Sequence, residues 1–269
     1  MMGAMEVFAA KKQACIVSPF IVGGAMAPVS VAGTLTQVLA EVLAGVSYNQ
    51  LIRPGAPVIF GTFVTSIDMN SGAPTFGTPE ASHILYGAGQ LARRLGLPYR
   101  SGGGLCGSKL PDAQAAYETS NTLNAALMGG VNFMLHACGW LEGGLVSSFE
   151  KFVMDADQLG ILHHLAKGVA VDENAQAMDA IREVGPGGHL GCAHTQANFK
   201  EAFWRTSVLD YKPFETWDEE GARDTYTLAA ARVKTMLETY QKPAMDPAVN
   251  EALHAYVVQK KASMPDSFT

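Results

Sequence analysis

The stretch CIVSPFIVGGAMAPVSVAGTLTQVLAEVLAGVSYNQLIRPGAPVIFGTF, residues 15–63, decides the fold. It opens on Cys15-Ile16-Val17, a short apolar run ended by Ser18-Pro19. From Val31 to Ile52 the apolar residues recur at helical spacing, with Val31, Leu35, Val38, Val42 and Val46 on one face. Arg53-Pro54-Gly55 stops that pattern, and Val58-Ile59-Phe60 is a second apolar run. Strand, amphipathic helix and strand in this order predict a parallel βαβ unit with its helix packed outside the sheet.

The same alternation continues outward. Pro79 and Glu80 open a helix that runs to Leu95 and stops at Gly96; Leu97 to Arg100 is a third strand. Pro111-Asp112 opens a helix to about Met128, ended by Gly129-Gly130; Val131 to His136 is a fourth strand, and Ser147 or Ser148 caps the next helix. Beyond about residue 150 the strand signal disappears. Helices are expected over 150–166, 173–184, 214–240 and 247–261. The expected fold class is therefore α/β of the (β/α) TIM-barrel type. Residues 1–150 form a half-barrel of four strand–helix units, and 151–269 form a helical C-terminal region packed on it. Four strands cannot close a barrel of eight, and each open edge invites pairing with something else. A truncated gene product and a separately encoded half-barrel both fit that pattern.

Composition excludes several classes. Hydrophobic residues make up 48% and charged residues 16% of the 269, enough for a sizeable core. The net charge of -6 argues against a nucleic-acid partner. Cys15, Cys106, Cys138 and Cys192 stand far apart with no CxxC pair, which argues against structural zinc and a disulfide framework. No apolar run reaches the roughly 18 residues of a membrane span, and the first twelve residues carry charges and no signal core, so a cytoplasmic protein is expected.

The chemically unusual residues follow the strands, where parallel α/β proteins bind ligands. Gly102-Gly103-Gly104 resembles a phosphate cradle, but neither GK[ST] nor GxGxxG is present, and a structural role is favoured. His136 ends the fourth strand, with Trp140 and Glu142 close behind. His163-His164 reads as a surface pair, His189 and His194 as structural, and the methionines as core fillers.

An ordered series of segments resembles the trimethylamine methyltransferase family: residues 23–45, QLIRPGAPVIFGTF (50–63), SGAPTFGTPEA (71–81), SKLPDAQAAYE (108–118), HACGWLEGGL (136–145), EKFVMDADQLG (150–160), VGPGGHLG (184–191), HTQANF (194–199) and LDYKPFETWDEEG (209–221). The resemblance implies an eight-stranded barrel that moves a methyl group from a methylated amine to the Co(I) of a separate corrinoid protein, with no cofactor bound directly. This chain would be the C-terminal half. Where the family's trimethylamine enzymes carry pyrrolysine, only standard residues stand here, which favours a quaternary amine such as a betaine.

Chemistry supports that division, because a quaternary ammonium leaves as a neutral amine without prior activation. Rings hold such a cation by cation–π attraction. By their position after strand ends, Phe20, Phe63 and Trp140 are the cage candidates; Arg100 or His136 would hold a substrate carboxylate, with Glu142 near the rim. The expected partners are a corrinoid protein and either further copies of this chain or an N-terminal half-barrel. The alternative is an inactive remnant serving as a binding module. No metal site is expected.

Overall fold

The computed structural model describes residues 2–264. Helix α1 (Met2–Ala10) leads into β1 (Cys15–Val17), β2 (Phe20–Gly23) and α2 (Val31–Ile52). Then follow β3 (Val58–Gly61), β4 (Phe63–Ile67), β5 (Pro74–Thr75), α3 (Pro79–Arg94), β6 (Tyr99–Gly102), α4 (Ala113–Met128) and β7 (Phe133–Leu135). A hairpin, β8 (Trp140–Leu141) and β9 (Val146–Ser147), precedes α5 (Phe149–Ala166). Among the described residues the later elements are helices: α6 (Glu173–Gln176), α7 (Met178–Val184), α8 (Ala193–Asn198), α9 (Phe214–Glu219), α10 (Thr225–Glu238) and α11 (Pro247–Ala262).

Strands β1, β3, β6 and β7 form a parallel sheet in chain order, with helices in each connection. This is the mixed α/β architecture that the alternating pattern predicts. The helix starts follow from their caps: Ser30, Asp112 and Ser148 each accept a main-chain N–H of the first turn. Val17, Phe60 and Tyr99 occupy paired register positions on one face of the sheet. Together with Val38 and Val42 of α2 and Ala88 and Ala92 of α3 they form the core. Alternation sends Gly61 and Arg100, also paired, to the opposite face.

Two expected loops are strands. Phe20 and Phe63 open β2 and β4, which pair in parallel and are joined by antiparallel β5. The pairings Val17↔Phe60 and Phe20↔Phe63 keep one register, so β1–β2 and β3–β4 are two long strands interrupted together. At the interruption Thr62 N–H turns to the Arg100 carbonyl (3.0 Å), and Phe63 N–H returns to the Pro19 carbonyl (3.0 Å). Ser18-Pro19 masked the continuation, because a proline supplies no donor and reads as a stop. Gly61 makes the crowding at this point possible. A Cβ there would meet Ser18 Cβ at 2.7 Å, Ile16 Cγ2 at 2.8 Å and Val17 O at 2.9 Å. Gly61→Ala should therefore cost about 1–2 kcal/mol through forced strand separation. Denaturant titration measures this, and an unchanged midpoint would mean the strands move apart freely.

Other differences are local. The N-terminal segment, to which the sequence pattern assigned no element, is helix α1, tied to α2 by a Glu6–Tyr48 hydrogen bond and by Arg53 on the Ala10 carbonyl. Left-handed Ala177 divides the helix expected over 173–184, and Gly221 and Ala222, both at positive φ, interrupt the one expected over 214–240. Gly103 and Gly104 have a packing role: a Cβ on the first would strike Met134 and on the second the Ala137 carbonyl. Helix α2, at 22 residues and mean hydropathy 1.2, is long and apolar enough to cross a membrane by length and composition, yet Val38 and Val42 on one face are fully buried in the core. The chain divides into two compact units, one running to Val233 and one starting at Lys234, within α10. In the first unit α5 and α10 share a small core of Val153, Val208, Ala229 and Val233.

Candidate functional site

The β2–β4 register puts Phe20 directly beside Phe63, and their rings stack at 5.3 Å and 18°. His136 follows β7 in a left-handed conformation (φ 56°) that turns its ring toward Phe63, 5.3 Å away. Trp140 opens β8 and meets Phe63 edge-on at 5.7 Å and His136 at 5.2 Å. Phe76 closes the far side of Trp140 at 5.5 Å. The cluster runs from Phe20, 55% exposed, to Phe76, 6% exposed, so it presents an aromatic surface to solvent on a buried footing. Each such ring pair contributes about 0.5–1.5 kcal/mol beyond burial.

Arg100 lies beneath these rings at 4% exposure. Its Nη1 donates to the Thr62 carbonyl (2.8 Å) and Ser18 Oγ (3.1 Å), and its Nη2 to His136 Nδ1 (3.2 Å). A guanidinium cannot accept, so His136 is the neutral tautomer with its proton on Nε2. Desolvation and the Arg100 charge both hold the His136 pKa below its ordinary value. No carboxylate lies within ion-pair distance of Arg100 among the described residues, and its Nε has no hydrogen-bond partner. Desolvation by burial lowers its pKa. An uncompensated buried cation is costly, and a ligand anion would relieve it.

The structure thus brings Phe20, Phe63, Arg100, His136 and Trp140 together. Glu142 stands two residues beyond Trp140, in left-handed backbone (φ 47°), its N–H on the Ser108 carbonyl (2.8 Å). It starts a short 3-10 turn and belongs to none of the ring contacts.

Sequence reasoning missed Phe76, although it lies in the quoted 71–81 segment, and it missed the supports of the loop. Glu118 accepts the N–H groups of Gly107 (2.6 Å) and Ser108 (3.2 Å). The Cys106 thiol donates to the Trp140 carbonyl (2.8 Å), and burial pushes that thiol, like Cys138, up to about 11. Under the loop, Lys151 and Asp155 form a buried ion pair at 2.5 Å. Burial raises the Asp155 carboxyl, while Lys151 and the Gly139 N–H pull it down.

The remaining histidines are elsewhere. His164 packs on Trp204, His194 bonds the Asn174 carbonyl and His189 the Gly185 carbonyl. Among the described residues no three His, Cys, Asp or Glu side chains gather as metal ligands.

The fold and site together define a parallel α/β chain that gathers aromatic rings and an arginine, without an ion-pair partner among the described residues, beside its parallel strands. A sequence model of the trimethylamine methyltransferase (MTTB) family matches residues 1–265, and the chain belongs to that family. It is 43% identical over 261 residues to a glycine betaine methyltransferase of Desulfitobacterium hafniense (strain Y51), covering 97% of this chain and 54% of that protein. A proline betaine:corrinoid methyltransferase of Eubacterium limosum is 32% identical over 236 residues, covering 86% of this chain and 48% of that protein. The trimethylamine methyltransferase MttB of Methanosarcina barkeri (strain Fusaro / DSM 804) is 31% identical over 234 residues, covering 87% and 47%. The chain therefore spans about half the length of the curated relatives it matches.

Proposed function

We propose that this chain supplies half of a (β/α) barrel that transfers a methyl group from a quaternary amine, a betaine, to the Co(I) of a separate corrinoid protein. Strands β1, β3, β6 and β7, each followed by a helix, are the four strand–helix units of that barrel, and the helices after α5 belong to its helical region. Strands β1 and β7 are the two ends of the parallel sheet, where a second half-barrel or another copy of the chain would add its strands. The corrinoid, carried by its own protein, supplies the nucleophile. The residues of this chain bind, desolvate and aim the substrate.

The observation that carries this reading is the pairing of an aromatic cluster with an uncompensated arginine. A quaternary ammonium is attracted to ring faces and repelled by Arg100. A betaine carries a carboxylate a short distance from that ammonium, so it satisfies both sites at once in one orientation: carboxylate toward Arg100, methyl groups toward Phe63 and Trp140. The two betaine enzymes among the relatives support the same substrate class.

The test uses two probes. Arg100→Met should weaken glycine betaine about tenfold, as expected for a lost charged hydrogen bond, and should leave tetramethylammonium almost unchanged. Equal losses would remove the carboxylate from Arg100. Methyl transfer itself is followed by loss of Co(I) absorbance when the chain, with its half-barrel partner, meets a corrinoid protein and either glycine betaine or trimethylamine. Transfer from trimethylamine and none from glycine betaine would overturn the substrate class.

A further inference from the structure

The β7–β8 loop carries His136 and leads directly into Trp140, and its last residue, Gly139, is fastened to the start of α5 and to Asp155 within it. Gly139 N–H donates to Asp155 Oδ2 at 2.9 Å, and the Gly139 carbonyl accepts the N–H of Ser148, the cap of α5, at 3.2 Å. Gly139 has φ 80°, in the left-handed region that favours glycine, so the turn is sharp and its N–H points into the protein. Asp155 is 4% exposed and Lys151 1% exposed. Lys151 Nζ reaches both Asp155 oxygens and also Thr119 Oγ1 at 2.8 Å. A buried ion pair is weak grounds for stability, since apolar residues of similar volume are often as stable. What apolar residues cannot do is accept a main-chain N–H.

We infer that Asp155, neutralised by Lys151, is a positioning residue: by capturing the Gly139 N–H it fixes the 136–140 loop and so sets the contact of His136 with Trp140. The inference rests on the reading above only in that this contact forms part of the ammonium site. Its geometric content is separate. His136 holds a left-handed conformation unfavourable to a non-glycine residue, and such a conformation persists only when its surroundings over-determine it. The Asp155 anchor is three residues along the chain from it, and the Cys106 thiol on the Trp140 carbonyl is the second anchor. Between them they leave the loop one arrangement.

The chain has three tryptophans, so labelling with 5-fluorotryptophan gives three fluorine resonances, and Trp140→Phe assigns one of them. The double variant Lys151→Met/Asp155→Leu keeps the buried site apolar and paired in volume but removes the acceptor. It should shift and broaden the Trp140 resonance and leave the other two in place. It should also weaken glycine betaine roughly tenfold or more, the usual effect of misplacing a binding group. Lys151→Met/Asp155→Asn keeps an acceptor oxygen and should restore the resonance and most of the affinity. A folded Lys151→Met/Asp155→Leu protein with its Trp140 resonance unmoved overturns the inference. If that variant does not fold, hydrogen exchange on the wild-type chain decides: the Gly139 amide should exchange about 100-fold slower than an unstructured amide, and free exchange there is fatal. Should the wild type fail to bind glycine betaine at all, the substrate reading falls while the resonance still reports on the loop.

Discussion

Asp155→Ala should lower the unfolding free energy by about 3–5 kcal/mol, the usual cost of breaking a buried ion pair from one side. The substitution strands the Lys151 ammonium at 1% exposure, with Thr119 Oγ1 as its remaining partner. It also leaves the Gly139 N–H without its acceptor. Asp157, on the same helix, is the internal control. It is 8% exposed but accepts only neutral donors, Thr206 Oγ1 (2.6 Å), Ser207 N–H (2.7 Å) and Ser207 Oγ (2.9 Å). Its replacement by alanine orphans those donors without stranding a charge and should cost about 1–3 kcal/mol. Denaturant titration of both variants at equal slope gives the comparison. A loss at Asp155 no larger than that at Asp157 would mean that Lys151 finds water by swinging out between α4 and α5.

Trp140→Ala should weaken quaternary-ammonium binding by about 1–3 kcal/mol through lost cation–π attraction and lost packing. No formal charge changes, so the loss should depend little on salt. An analogue with carbon in place of the quaternary nitrogen should bind the wild type less well and lose much less on the mutation. Calorimetric titration of both proteins with both ligands makes the measurement. Equal losses would leave Trp140 as packing alone, and the ring cluster would lose its claim to the ammonium. The same substitution removes the ring contacted by Phe63, His136 and Phe76, so a stability measurement must accompany it.

The legible part of this protein was periodic. Helix α2 is bounded at Val31 and Ile52 as read, because its apolar spacing, its Ser30 cap and its Arg53-Pro54-Gly55 stop agree. The parallel order of the four strands was legible because each expected strand precedes a helix, although the third lies at Tyr99–Gly102 rather than Leu97 to Arg100 and the fourth at Phe133–Leu135 within the expected Val131 to His136. Strands β2 and β4 were not. Their identity comes from a register shared across Ser18-Pro19 and Gly61-Thr62, and register is a property of two segments, invisible in either alone.

The candidate site divides in the same way. Sequence alone determined the family and the mixed α/β class, and it named six side chains, of which Phe20, Phe63, Arg100, His136 and Trp140 lie together while Glu142 makes none of the ring contacts. Only the tertiary structure decided that Phe76 backs Trp140, that Ser18 and Thr62 hold Arg100 with no carboxylate at ion-pair distance among the described residues, and that Asp155 reaches Gly139. Those are contacts between residues distant in the chain, set by packing and desolvation, and no spacing rule along the sequence encodes which buried charge finds a partner and which is left waiting for one.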